Sequence, residues 1–256
     1  MPEPSVTDLA GQLRDRLEHA AVPGRAAAEK RYLKSDLDHV GVPLPAMRAL
    51  VRSFVRGHRE LDHGRATALA AELWSRPVHE HRSTALLVLA GYTDRLGADD
   101  VALFEALLRQ CRSWGHVDLL APFVVGRLLP RHPGLEEAVR RWAADPGQWV
   151  RRGGVLSFLM VLREEDDFPR WFPVFAEVAE PLLTDERFFV RKAVGWALRE
   201  GTKHHPDRVA DWLAERLPRL SGLTLREASR RLPEPRRAHL AAAHADLHRR
   251  GRGRAG

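Results

Sequence analysis

Apolar residues recur at three- and four-residue spacing through nearly the whole chain, and strand-type alternation of Val, Ile and Thr is absent. The pattern predicts amphipathic helices from end to end and an all-α fold. Turn signals cut these helices short at Val22-Pro23-Gly24, Gly41-Val42-Pro43, Arg131-His132-Pro133-Gly134, Asp145-Pro146-Gly147 and His204-His205-Pro206-Asp207. Asp145 is expected to cap a helix that opens on Pro146, and Asp185 before Glu186 to start another.

The second half of the pattern repeats. Val150-Arg151-Arg152-Gly153 returns as Val190-Arg191-Lys192-Ala193 and again as Leu225-Arg226-Glu227-Ala228, at offsets of 40 and 35 residues. Two helices per period of roughly 40 residues is the pattern of a HEAT-like helical-repeat solenoid, an α-α superhelix whose helix pairs bury their apolar faces against their neighbours. Residues 1–248 are expected to form one such domain. Equivalent positions then line a concave groove. Arg152 and Lys192 are expected side by side on it, and Trp196 shares the face of Lys192. One repeat earlier, Asp118 falls at the same level to within a residue.

Composition makes that groove basic. The net charge is +7 and the sequence pI near 10.4, with lysine only at Lys30, Lys34, Lys192 and Lys203 and arginine everywhere else. The balance favours a polyanionic partner, although an Ala- and Arg-rich chain also follows from genome base composition. A single cysteine, Cys111, excludes an internal disulfide framework and fits a reduced, cytoplasmic setting. The first residues have neither the basic start nor the apolar run of a secretory signal, and no membrane span is expected. Residues 249–256, Arg-Arg-Gly-Arg-Gly-Arg-Ala-Gly, are expected to be a disordered tail that either adds phosphate affinity or only solubilises the end.

Candidate chemistry centres on Ser113-Trp-Gly-His-Val-Asp118, where Trp114 and Asp118 share one helical face. Taken alone, the pair reads more readily as a core aromatic and a surface acid. The histidines point to no metal site: His79 and His81 fall on different faces, and His204-His205 sits in a turn. Of His239, His244 and His248 only the last two have helical ligand spacing. No metal and no cofactor are expected. Trp74, Trp142, Trp149, Trp171 and Trp212 read as core or inter-helix anchors, and Glu164 to Asp167 as a solvated loop.

Several stretches, in chain order, resemble the AlkD-type HEAT-repeat DNA glycosylases of bacterial alkylation repair. Residues 31–48, Arg-Tyr-Leu-Lys-Ser-Asp-Leu-Asp-His-Val-Gly-Val-Pro-Leu-Pro-Ala-Met-Arg, are similar to the family's N-terminal segment. Leu73-Trp74, with Pro77 and His79-Glu80-His81-Arg82 after it, resembles the next helix pair. Trp114 to Asp118 resembles a Trp-x-x-x-Asp motif and Trp149-Val-Arg-Arg152 a Trp-x-x-Arg motif. The most specific match is Phe188-Phe-Val-Arg-Lys-Ala-Val-Gly-Trp196-Ala-Leu-Arg-Glu.

The resemblance implies a lesion-facing site of Trp114, Asp118 and Trp196, with Arg152 holding the DNA backbone beside it. Arg151, Arg191 and Lys192 are further DNA-binding candidates. The implied partner is double-stranded DNA carrying N3- or N7-alkylated purines, bound by a monomer. Such a base already carries positive charge and leaves without a general acid, so one carboxylate that steadies the cationic sugar suffices. The departure from the pattern is Gly153-Gly154, since each helical glycine costs about 1 kcal/mol relative to alanine and softness beside Arg152 is expected. Two other classes stay open: a non-catalytic HEAT-repeat protein that binds damaged or branched DNA, and a protein-binding scaffold.

Overall fold

A computed structural model of the protein describes residues 3–253. Within the stretch expected to be one repeat domain, packing defines two compact units, Met1–Leu128 and Leu129–Gly256. Both are helical. No strand occurs among the described residues, where the nearest thing to one is an isolated bridge between Asp38 and Val78. No helix among them is long and apolar enough to cross a membrane.

The first unit opens with α1 (Val6–His19), whose N-cap Ser5 and Asp8 form a reciprocal capping box. It continues with α2 (Arg25–Leu33), α3 (Leu44–Gly57), α4 (His63–Trp74), α5 (His79–Gly91), α6 (Val101–Gln110) and α7 (Trp114–Leu120). A π-helical turn, Ala121–Val125, leads to α8 (Gly126–Leu128). Helix α1 buries Leu9, Leu13 and Leu17 at four-residue steps, and α3 buries Met47, Val51 and Phe54. Helix α5 is buried on almost every face from His79 to Leu89 and is packed by α3, α4 and α7. Its Glu80, wholly buried, accepts the backbone N–H groups of Val40, Gly41 and Val42 at 2.9, 2.6 and 3.2 Å. That carboxylate organises the turn read from Gly41-Val42-Pro43, where Gly41 sits at φ +91°.

The second unit is built from helix pairs: α9 (Leu135–Ala143) with α10 (Gln148–Leu156), then α11 (Leu159–Arg163), α12 (Phe168–Ala179) and α13 (Phe188–Gly201). Helices α14 (Pro206–Glu215), α15 (Gly222–Ser229) and α16 (Glu234–Gly253) follow. The repeat seen in the sequence is physical. Val150, Val190 and Leu225 are each buried at the start of α10, α13 and α15, and α13 packs on both of the others. Helix α16 runs on through Gly253, into the stretch expected to be a disordered tail, and residues 254–256 lie outside the described residues.

Two helix starts differ from expectation in the same way. Helix α10 begins at Gln148 with Gly147 as its N-cap, and α13 at Phe188 with Arg187 as its N-cap. Asp145 and Asp185 lie ahead of the caps. Each carboxylate accepts the backbone N–H two residues on, from Gly147 at 2.8 Å and Arg187 at 2.9 Å. The aspartates close Asx turns that deliver the chain to the helix rather than capping it themselves.

Four of the five tryptophans expected as anchors, Trp74, Trp142, Trp171 and Trp212, are buried. Trp149 is half-buried, with its ring 5.0 Å from that of Phe189. The Gly153-Gly154 stretch is a packing contact and not a soft point. A Cβ on Gly154 would lie 2.8 Å from both the Cα of Ala143 and the carbonyl oxygen of Val139, so α10 crosses α9 there backbone to backbone. Replacing Gly154 by alanine is therefore expected to destabilise the protein by about 1–3 kcal/mol through overpacking. Gly134, with open space around it, is expected to accept alanine with little change. Urea unfolding of the two variants checks this, and equal midpoints would refute it.

Candidate active site

Helix α7 has its inner face fixed by His116 and Val117, both wholly buried. The Nε2–H of His116 donates to the backbone carbonyl of His79 at 3.2 Å, and the two rings lie 4.7 Å apart. The His79 ring in turn stacks on that of His39, also at 4.7 Å. Positions two residues before and after His116 project about 160° away from it at 100° per residue. Trp114 and Asp118 therefore share the outer face, and both are half-exposed. Pro122 stands four residues after Asp118 and has no N–H to offer the carbonyl of residue 118. The helix widens there into the π-helical turn Ala121–Val125.

The sequence reading missed one neighbour on this face. Tyr32 of α2, 73% exposed, meets Trp114 edge to face with ring centroids 5.7 Å apart. A signal was present, because α2 buries only Leu33 and its tyrosine has no core to serve. Cys111, just ahead of α7, is buried, and desolvation pushes its thiol up to about 12, with the charge of Asp118 adding to the rise. A thiolate nucleophile is thereby removed from the chemistry open to this face.

The remaining candidates lie in the second unit. Lys192 is exposed on α13, its ammonium 5.9 Å from the ring of Phe188, itself 50% exposed. One turn on, Trp196 is half-exposed and donates its indole N–H to Glu200 Oε1 at 3.2 Å. Glu200, buried, also receives Arg231 Nη1 at 3.1 Å. Gly195 admits α15 beside Trp196, since a Cβ there would stand 2.6 Å from that of Glu227 and 2.9 Å from the Thr224 carbonyl oxygen.

The candidate arginines of this unit are partly or wholly buried. Arg152 is only 3% exposed, and its Nη1 donates to the Phe189 carbonyl at 2.6 Å, joining α10 to α13. Arg151 is half-buried and pairs with Asp185 at 2.8 Å while also donating to the Asp145 carbonyl at 2.7 Å. The bonds from Arg187 first, and then from Arg151, hold Asp185 far below the usual carboxylate range despite its partial burial. Arg191 is half-buried. Position 152 and position 192, equivalent by sequence offset, thus differ in exposure: Arg152 is buried with a bond to the α13 backbone and Lys192 faces solvent.

Among the described residues, Glu29, His39 and Glu80 bring possible metal-ligand atoms within 4.8 Å of one another. The Glu80 oxygens already accept three backbone N–H bonds, which accounts for that carboxylate without an ion.

The fold and these residues define a helical-repeat protein with an acid and two tryptophans on outward helix faces. The family model described as DNA alkylation repair enzyme matches residues 13–232, and the chain belongs to that family. A predicted DNA alkylation repair enzyme from Enterococcus faecalis superposes with a TM-score of 0.72 at 23% identity, over 84% of this chain and 97% of that one. AlkD2 from Streptococcus mutans superposes with a TM-score of 0.61 at 15% identity, over 89% and 99%. At these identities the two structures establish the shared fold. No curated protein matches the chain.

The stacked imidazoles behind α7 generate a pH prediction. Burial lowers His79 to about 4 and His116 to about 3, so both are neutral in the folded protein. In the unfolded chain each returns to about 6.5. Their contribution is complete above about pH 6.5 and is lost as pH falls towards the folded values, because the unfolded state then binds the extra protons. Stability is expected to drop by about 2 kcal/mol for each of the two histidines between pH 7 and 5, about 4 kcal/mol for the pair. His116→Gln should flatten that slope while lowering stability at pH 7. Denaturant titrations at both pH values measure it, and an unchanged slope in the variant would clear His116 of the effect.

Proposed function

We propose that the protein is a monofunctional DNA glycosylase that hydrolyses the N-glycosidic bond of cationic N3- or N7-alkylated purines in duplex DNA. It would leave an abasic site and use neither metal nor cofactor. The observation that carries this reading is the outward, half-exposed carboxylate of Asp118 one helical turn from the indole of Trp114. As the glycosidic bond lengthens, positive charge grows on the sugar, and a carboxylate is the group that stabilises it. Asp118 takes that role and positions the attacking water. Trp114 and Trp196 are assigned to the lesion and its sugar, where indole faces favour cations by roughly 0.5–2 kcal/mol. Tyr32 holds the Trp114 ring from its edge.

Backbone contact is assigned first to Lys192, the exposed cation of α13, with Arg191 beside it. Arg152 and Arg151 act as positioning residues. They tie α10 to α13 and to the turn before α13, and so set the face from which Lys192 and Trp196 project.

The reading ties activity to base charge. Release of N7-methylguanine from a duplex is expected, and release of a neutral base such as uracil is not, because no general acid is assigned to help a neutral base depart. Equal release of the two would overturn the mechanism. Lys192→Ala should weaken duplex binding and reduce the slope of log affinity against log salt by about one. A variant with unchanged salt slope would remove Lys192 from the phosphate contacts.

A further inference from the structure

Away from Asp118, the first unit contains a cavity of about 580 Å³ between α3, α5 and the π-helical turn. Its rim carries four guanidinium groups, from Arg48, Arg52, Arg56 and Arg127, and its lining includes no carboxylate. Three of the four recur at four-residue steps on α3, along one face over about 12 Å. Like charges at this spacing destabilise a helix, so the row needs a counter-charge.

No carboxylate among the described residues supplies it. Among the described residues none of these four arginines forms an ion pair, whereas Arg14, Arg140 and Arg216 are paired with Glu72, Glu136 and Glu180. Two of the four are held in place by an aromatic ring instead. The guanidinium carbons of Arg48 and Arg127 lie 5.2 and 5.7 Å from the centroid of Phe123. Arg52 and Arg56 are exposed at the rim, while Val51, Val55 and Leu87 line the interior.

A bare phosphate would use the rim and leave the apolar lining wet. A planar, weakly polar group joined to a phosphate uses both, and the volume falls within the range of small-molecule sites. Guanidinium planes already held against an aromatic ring offer a stacking surface to a base. We propose that this cavity binds a nucleoside phosphate, with the phosphate between Arg52 and Arg56 and the base against the apolar wall beside Phe123. The nucleotide is either free or an unpaired unit of a DNA strand. The site is independent of Asp118 and of base release, and extends the nucleic-acid contacts of the protein beyond the residues assigned to catalysis.

The test is calorimetric titration of the full chain with deoxyadenosine monophosphate, with a short oligothymidylate and with inorganic phosphate, repeated on the double variant Arg52→Gln, Arg56→Gln. Both positions are exposed, and thermal melting checks that the variant folds. At least one nucleotide probe is expected to bind at least about tenfold more tightly than phosphate and to lose at least about tenfold in the variant, the size of one charge-assisted contact. Tighter binding of the strand assigns the site to unpaired DNA, and equal or tighter binding of the mononucleotide assigns it to a free nucleotide. Neither probe binding, phosphate matching both, or an unaffected variant would overturn the proposal. Absence of base release with nucleotide binding intact would count against the catalytic reading alone.

Discussion

A neutral imidazole sealed against a backbone carbonyl sets the direction of α7. His116 is wholly buried and spends its Nε2–H on His79, so the helix has one rotation in which that donor is satisfied. In this rotation Trp114 and Asp118 point away from the core. Turning α7 to bury the indole would break that bond and draw the wholly buried Val117 out of the core. The same segment is held from beneath by α5, whose Glu80 fixes the loop over residues 40–42. The acid proposed to do chemistry thus stands on a frame of buried polar groups. Pro122 ends its regular helix one turn later.

The second unit reaches a comparable result by other means. There the inner helices approach through glycine, at Gly154 and Gly195, and buried arginine and glutamate side chains bind neighbouring segments. Arg151 and Arg187 share Asp185, Arg152 takes the carbonyl of Phe189, and Glu200 joins Trp196 to Arg231. Most of the charge on these residues is internal bonding, which is why net charge overstates the number of cations available to a partner. Lys192 on α13 and the arginine row of α3 are among the cations that remain outward.

How much of this was legible in the sequence depends on whether the determining contact is local. Helical spacing gave the all-α class, and the 40- and 35-residue offsets correctly picked out the helices that became α10, α13 and α15. The outward pair Trp114 and Asp118 follows from four-residue spacing, but which way it faces depends on His116, whose partner His79 is 37 residues away. The same limit explains Arg152. Its offset from Lys192 marks the equivalent helix position, but its burial depends on Phe189 of α13, whose carbonyl accepts its Nη1. Asp145 and Asp185 look like caps in the sequence because the Asx turn and the N-cap favour the same residues. Gly153-Gly154 looks soft in the sequence because propensity has no knowledge of the helix lying against it.

The central claim is that Asp118 stabilises charge developing on the sugar, and the direct measurement is single-turnover release of N7-methylguanine by the intact protein and by Asp118→Asn at matched DNA occupancy. The account predicts a fall of at least about 100-fold in the rate, the usual size of such an electrostatic contribution, with little change in affinity. Equal rates from the two proteins would contradict it and take Asp118 out of the mechanism.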